Sequence, residues 1–362
     1  MKTKFHKIVS KPLSLALGLS IASTVGVAQA KDSKPALLKV PVAFSTELPA
    51  LGSPIKHVAK NISLVSNNSV RMKLYEPGKL VAPFEILDAV SSGKVNAGYS
   101  TSGYWAGKIP AAPLFSAVPF GPEAPEYMAW LYQGNGLNLY QEMYESAGYN
   151  VQVIPCAIIA PETSGWFKKP IEKKEDLKGL RMRFFGLGGQ VMEELGVSTS
   201  LLPGGEIFSA LEKGALDATE FSQPAVDQRL GLHKVVKYNY FPGWHQQATI
   251  FELLVNGDQW KSMSASQQAA VNSVCKASMA DSLAEGEAIQ FDVMKKNVAD
   301  NGVQILYWND EMLNLFESTW NSIAEEKSAK DPFFKKVYDD LSSFRSDYDL
   351  WEANAFLPRS KR

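Results

Sequence analysis

The chain has 362 residues, a formal net charge of −1 and two cysteines, Cys156 and Cys275. A balance this close to neutral gives no electrostatic reward from a nucleic-acid backbone, so nucleic acid is excluded as a partner. Two cysteines cannot build a disulfide framework. With 11% aromatic and 21% charged residues, the chain can bury a sizeable core in one large or two medium domains.

Residues 1–30 carry Lys2, Lys4, Lys7 and Lys11 and no acid, then an apolar stretch from Leu13 to Val27, then Ala28-Gln29-Ala30. A basic segment, a short apolar segment and a small-x-small site make a secretory signal peptide. The apolar part is too short for a permanent membrane helix, and no later segment reaches the length needed to span a bilayer. The mature chain is therefore expected in the periplasm. Cys156 and Cys275 are expected there as two buried, inert thiols, with a bridge between them as the alternative.

From residue 37 onward, short β-type runs alternate with helical patterns. Leu37–Phe44 reads as a strand, Pro54–Leu64 as a helix, Val70–Tyr75 as a strand with two unlike faces, Pro83–Ser92 as a helix stopped by Gly93, and Ala97–Ser100 as a strand. The pattern returns with strands at Val151–Ile159, Ser164–Phe167 and Leu180–Phe185. A turn at Gly186–Gly189 and a helix to Leu195 follow. A further helix after Pro203-Gly204-Gly205 and a strand at Ala218–Phe221 complete the unit. Such alternation predicts an α/β fold with mainly parallel pairing. Two units of this kind predict two lobes with a ligand cleft between them.

The last third differs. Ser264-Ala265-Ser266-Gln267 is a capping box that opens a helix running to about Asn301, with Gly302 as its stop. After a strand at Val303–Tyr307, helices occupy Glu311–Lys330 and Pro332–Glu352, rich in aromatic residues. They offer either ordinary packing or a surface for self-association. The expected organisation is an N-terminal lobe at 31–155 plus about 247–308, including a connecting helix. A second α/β lobe occupies 156–246, and C-terminal helices occupy 309–362 as a homodimerisation element.

Catalytic signatures are missing. The sequence holds no H-E-x-x-H, C-x-x-C, G-x-S-x-G or complete phosphate loop, and its histidines have no metal-ligand spacing. Four segments carry a resemblance instead. They are D-L-K-G-L-R-M-R at 176–183, P-G-G-E-I-F-S-A-L-E-K-G-A-L-D-A-T-E at 203–220, Y-F-P-G-W at 240–244, and Y-W-A-G-K-I-P-A-A-P-L-F-S-A-V-P-F-G at 104–121. In this order and spacing the chain resembles the solute-binding proteins of tripartite ATP-independent periplasmic (TRAP) transporters. It is most similar to the branch that takes 2-oxo and 2-hydroxy monocarboxylates.

The resemblance implies a two-lobed binding protein, not an enzyme. It would capture a small organic carboxylate such as pyruvate or lactate, with a sodium or calcium ion beside it, for a membrane permease pair. No organic cofactor is implied. Arg183 matches the carboxylate-binding arginine, and a guanidinium suits that task because it donates two parallel hydrogen bonds. Arg181, two residues earlier, is its rival. Glu220, the Phe221 carbonyl, Glu162 and Gln246 match the cation-binding positions, Gln246 standing where many relatives have an acid. An amide oxygen still serves a hard cation. Ser102, Tyr104 and Trp105 are expected on the wall of the first lobe, with Gly103 replacing a tyrosine of the relatives. Trp244 and Phe185 are expected on the apolar wall, and Phe221 and Glu162 are expected to touch the substrate as well. Two other readings stay open at this point: a periplasmic protein serving a different transporter or a sensor, and a secreted metal-assisted enzyme.

Overall fold

The computed structural model describes residues 34–357, so the signal-peptide reading of residues 1–30 lies outside the described residues. Eleven strands are present among them. They are β1 (Ala36–Pro41), β2 (Val70–Tyr75), β3 (Ala97–Ser100), β4 (Val151–Ile159), β5 (Gly165–Phe167), β6 (Arg181–Arg183), β7 (Ser198–Ser200), β8 (Ala218–Thr219), β9 (Tyr238–Phe241), β10 (Thr249–Asn256) and β11 (Gln304–Tyr307).

In the first lobe β1 and β2 pair in parallel, and Val42 just beyond β1 bridges to Tyr99 of β3. β10 lies between β3 and β4 and runs antiparallel to both. The second lobe holds a sheet ordered β11-β9-β5-β8-β6-β7. There β5 is antiparallel to β8 and β9, whereas β6 is parallel to β7 and β8. The expectation of mainly parallel pairing is thus corrected to mixed sheets. The cause is the route of the chain: β4 leads out of the first lobe, and β10 brings the chain back beside it with Thr249 opposite Ile159. A returning neighbour must run the other way. β4 belongs wholly to the first sheet, and β11 pairs with β9 of the second. The boundary drawn at 155 and the placing of 304–307 with the first lobe both move accordingly.

The two crossing segments, residues 160–164 and 242–248, run side by side; the Glu162 amide donates to the Gln246 carbonyl at 3.3 Å. Close approach is possible because residue 243 is glycine. A Cβ there would stand 2.2 Å from the Glu162 carbonyl oxygen.

The capping box forms as expected, with Ser264 and Gln267 exchanging bonds at the start of the helix Ala265–Ala288. That helix packs on β4 and on the helix Ser53–Val65. It is interrupted at Ile289, and the chain resumes as the helix Gln290–Asn301, which packs against Pro224–Leu230 of the second lobe and stops at Gly302 with φ +64°. The C-terminal helix Asp310–Lys330 lies on Gly186–Glu194, and Pro332–Ala355 lies on Ala124–Gln133 and Gly136–Ser146. The aromatic stripe of these helices (Phe316, Trp320, Phe334) is buried within the chain itself, while Leu350, Trp351 and Phe356 near the end are exposed. Among the described residues no helix is long and apolar enough to cross a membrane.

The cysteines are paired: Cys156 of β4 is bonded to Cys275 of the helix Ala265–Ala288. The expectation of two free thiols is corrected because that helix lies directly on β4. Ser282 on the same helix face accepts from the Ile158 amide at 3.0 Å and donates to its carbonyl at 2.9 Å. A bond joining residues 119 apart restricts the unfolded chain strongly, on the order of 2–4 kcal/mol. Reduction should lower the thermal midpoint measured by circular dichroism. Cys275→Ser should show the same loss and no further change on adding reductant.

Candidate functional site

Arg183 ends β6 and Glu220 directly follows β8, so pairing of the two strands brings them together; the Glu220 amide donates to the Arg183 carbonyl at 2.9 Å. Both side chains are buried. Arg183 Nη1 donates to Glu220 Oε2 at 2.8 Å and to the Glu220 carbonyl at 2.6 Å, and Nε reaches the Leu202 carbonyl at 3.3 Å. The guanidinium also stands over the Phe221 ring, 5.1 Å from its centroid. Burial opposes ionisation of Glu220. The Arg183 guanidinium, helped by His245 and the Gln246 amide, nevertheless holds the carboxyl down at about 2.

Glu162 lies on the first crossing segment and Gln246 on the second. Gln246 Nε2 donates to Glu162 Oε2 at 2.9 Å and to Glu220 Oε1 at 3.2 Å, while its Oε1 accepts from the Thr249 hydroxyl at 2.8 Å. The amide therefore sits between two carboxylates. Burial, with Glu220 and Asp227 adding repulsion, pushes the Glu162 carboxyl well above the usual carboxylate range. Ser222 donates to Glu162 Oε1 at 3.3 Å, and the Ser222 amide is held by Asp227 at 3.1 Å. Asp227 also accepts from Trp166 Nε1 at 2.7 Å, and burial raises it to about 8.

His245 was not foreseen. Its Nε2 lies 3.6 Å from Glu220 Oε1, too far for a hydrogen bond, and both ring nitrogens are buried without a partner. Glu162, Glu220 and His245 present ligand atoms within 4.8 Å of one another. Two buried carboxylates with a neighbouring amide suit a hard cation, which would supply the charge that these groups lack; the imidazole nitrogens of His245 are not oxygen donors and stand outside that set.

A cavity of about 20 Å³ adjoins this cluster. The first lobe lines it with Phe44, Leu51, Thr101, Tyr104, Thr249 and Phe251; the second lobe and the crossing segments add Glu162, Arg183, Phe185, Phe221 and Gln246. Six expected residues, Glu162, Arg183, Phe221, Tyr104, Gln246 and Phe185, thus meet at one place, and Glu220 stands behind Arg183. Three others do not. Ser102 donates to the Ala112 carbonyl at 2.9 Å inside a short helical turn. Trp105 turns into the first lobe, where Nε1 donates to Glu252 Oε1 at 3.0 Å. Trp244 stacks on Phe316 and Phe120 and lines a separate groove of about 690 Å³ along Arg345 and Tyr348. Ser102 and Trp105 follow from the helical turn at 102–105, which sends the side chains at its two ends into the first lobe and leaves Tyr104 on the cavity; Trp244 is held away by its aromatic stack. Arg181, the rival of Arg183, is an exposed partner of Asp217, 2.7 Å away. Thr101, Thr249 and Phe251 gave no signal in isolation; the spacing of Thr249 three residues after Gln246 was the only hint.

A family model described as bacterial extracellular solute-binding protein, family 7, matches residues 45–331. The chain is similar to a monocarboxylate 2-oxoacid-binding periplasmic protein of Nostoc, with 36% identity over 81% of this chain and 80% of that one. A TRAP transporter solute-binding protein from Bordetella bronchiseptica, crystallised as a mixed-occupancy dimer with copurified calcium and picolinate, shares 28% identity at a TM-score of 0.86. That match covers 89% of this chain and 95% of the other. One from Pseudoalteromonas atlantica, with bound sodium and pyruvate, shares 29% identity at a TM-score of 0.85, covering 89% and 97%.

Glu252 beneath Trp105 gives a pH test. Tyr140 and Tyr144 also donate to it, and burial raises its carboxyl to about 7 despite these donors. The folded chain thus keeps a proton that the unfolded chain releases near 4.5. Stability from this group is complete below that value and falls as pH rises through 7, by about 3 kcal/mol in all. Thermal midpoints measured from pH 5 to 8 should fall less steeply for Glu252→Gln than for the wild type.

Proposed function

Since the chain belongs to family 7 of the bacterial extracellular solute-binding proteins, we propose that it captures a small 2-oxo or 2-hydroxy monocarboxylate between its lobes, outside the cytoplasm, and hands it to a TRAP membrane permease. The observation that carries this reading is a buried arginine facing a cavity walled by both lobes. A guanidinium kept out of water binds a carboxylate more strongly than an exposed one. The relative of known ligand class and the pyruvate-bound neighbour support the same class of substrate.

In this reading Nη1 and Nε of Arg183 stay on the second lobe, and Nη2 takes the ligand carboxylate. The Tyr104 phenol, raised to about 12 by burial, stays protonated and donates to the ligand's oxo or hydroxy oxygen. Thr101 and Thr249 place further hydroxyls on the same wall. A sodium or calcium ion would be held by Glu162, Glu220 and the Phe221 carbonyl, with the Gln246 amide turned to present its oxygen. Its chemistry is electrostatic: it offsets the two carboxylates and attracts the ligand's oxygens. Capture requires no bond making, in keeping with the solute-binding relatives.

Isothermal titration of the full chain with pyruvate, lactate and their homologues tests the reading. Arg183→Lys keeps the charge but loses the fork, so affinity should fall by about 10- to 100-fold while the circular dichroism spectrum is unchanged. Unaltered affinity would remove Arg183 from the site. Chelation of calcium together with replacement of sodium by choline should weaken binding, and Glu162→Gln should reduce that dependence. Identical affinity in all these conditions would dismiss the cation.

A further inference from the structure

We propose that Phe185 sets the upper size of the ligand, and that it does so as one half of a cross-cleft lock whose other half is Gly103. The proposal rests on the carboxylate-binding reading above.

Phe185 follows β6 in the second lobe, whereas Gly103 lies in the turn after β3 in the first. The phenyl ring fills the space that any side chain at 103 would need. A Cβ built on Gly103 would stand 2.2 Å from Phe185 Cζ and 2.9 and 3.0 Å from two further ring carbons. Such distances are well inside contact, so the glycine and the ring are complementary shapes from opposite lobes. A larger residue at 103 would hold the lobes apart.

The ring is also held in place. Its centroid is 5.5 Å from that of Tyr104, nearly edge-on at 75°. Tyr104 is braced in turn by Phe84 at 4.9 Å and Phe44 at 5.6 Å. The Phe185 amide donates to Glu220 Oε2 at 3.1 Å, the same oxygen that pairs with Arg183. The backbone carrying the ring is therefore tied to Glu220, the partner that positions Arg183. Phe185 and Arg183 line the same cavity, so a ligand whose carboxylate is held by Arg183 meets the ring.

The cavity is only about 20 Å³, so each carbon added to the ligand's tail, and a branch most of all, presses on its aromatic wall, of which Phe185 is part. In a rigid apolar pocket each unwelcome methylene costs roughly 10-fold or more in affinity. The chemical class assigned is thus the short, unbranched 2-oxo acids.

The test uses the full chain, titrated calorimetrically in calcium and sodium with pyruvate, 2-oxobutanoate, 2-oxopentanoate and 4-methyl-2-oxopentanoate. The wild type should prefer pyruvate over the branched acid by about 10-fold or more. Phe185→Ala, with Phe185→Leu as the milder variant should alanine fail to fold, should cut that ratio by about 10-fold. Gly103→Ala should weaken every acid, and the double change with Phe185→Ala should restore affinity, which a merely structural role for either residue would not do. Equal wild-type affinity for pyruvate and the branched acid overturns the proposal, as does a ratio unmoved by both Phe185 variants or a double variant no better than Gly103→Ala. If the four acids bind with an order that Phe185 does not control, only this inference fails. If none binds the wild type, the carboxylate reading fails with it.

Discussion

A buried ion pair organises the centre of this protein. Taking Arg183 and Glu220 out of water is costly, and their attraction alone rarely offsets that cost. The surroundings complete the balance. Arg183 also meets two backbone carbonyls and an aromatic face; Glu220 also accepts from the Phe185 amide and from Gln246. Three of these partners, Phe185, Phe221 and Gln246, line the cavity. The pair thus acts as a ruler: it sets where Phe185 and Phe221 stand, and through Gln246 it reaches the segment that carries Glu162.

Gln246 shows what an amide does between two buried carboxylates. An acid at this position would add a third buried negative charge beside Glu162 and Glu220. The amide instead donates to both carboxylates with one nitrogen, and Thr249 holds its oxygen. The same side chain can offer hydrogens or, turned over, an oxygen. The site can therefore remain hydrogen-bonded with or without a cation, a freedom that a carboxylate would not have.

Much of this was legible in the sequence, for identifiable reasons. Arg183 and Glu220 sit in ordered motifs at strand ends, where the short β-type runs stop and the turn begins. The capping box at Ser264 and the stop at Gly302 are local signals, and both formed as read. What depends on distant pairing was harder to see. That Arg183 and Glu220 bond each other follows from β6 lying beside β8, which no spacing announces. The disulfide required the helix Ala265–Ala288 to lie on β4. Ser102, Trp105 and Trp244 have the chemistry of a binding wall, but a helical turn and a stacked aromatic cluster took them elsewhere. His245, isolated in sequence, became notable only once Glu162 and Glu220 converged on it.

The placing of β10 has a consequence for how the chain is made. This strand is the middle member of its sheet, yet it arrives after the whole of the second sheet except β11. When the chain emerges from its N-terminal end, β3 and β4 must wait, unpaired along one edge each, until residue 256 is available. The second lobe, whose first five strands lie between residues 165 and 241, is free to assemble meanwhile. Each lobe thus waits on a strand made after the other has begun: β10 closes the first sheet, and β11, pairing with β9, adds the last strand to the second.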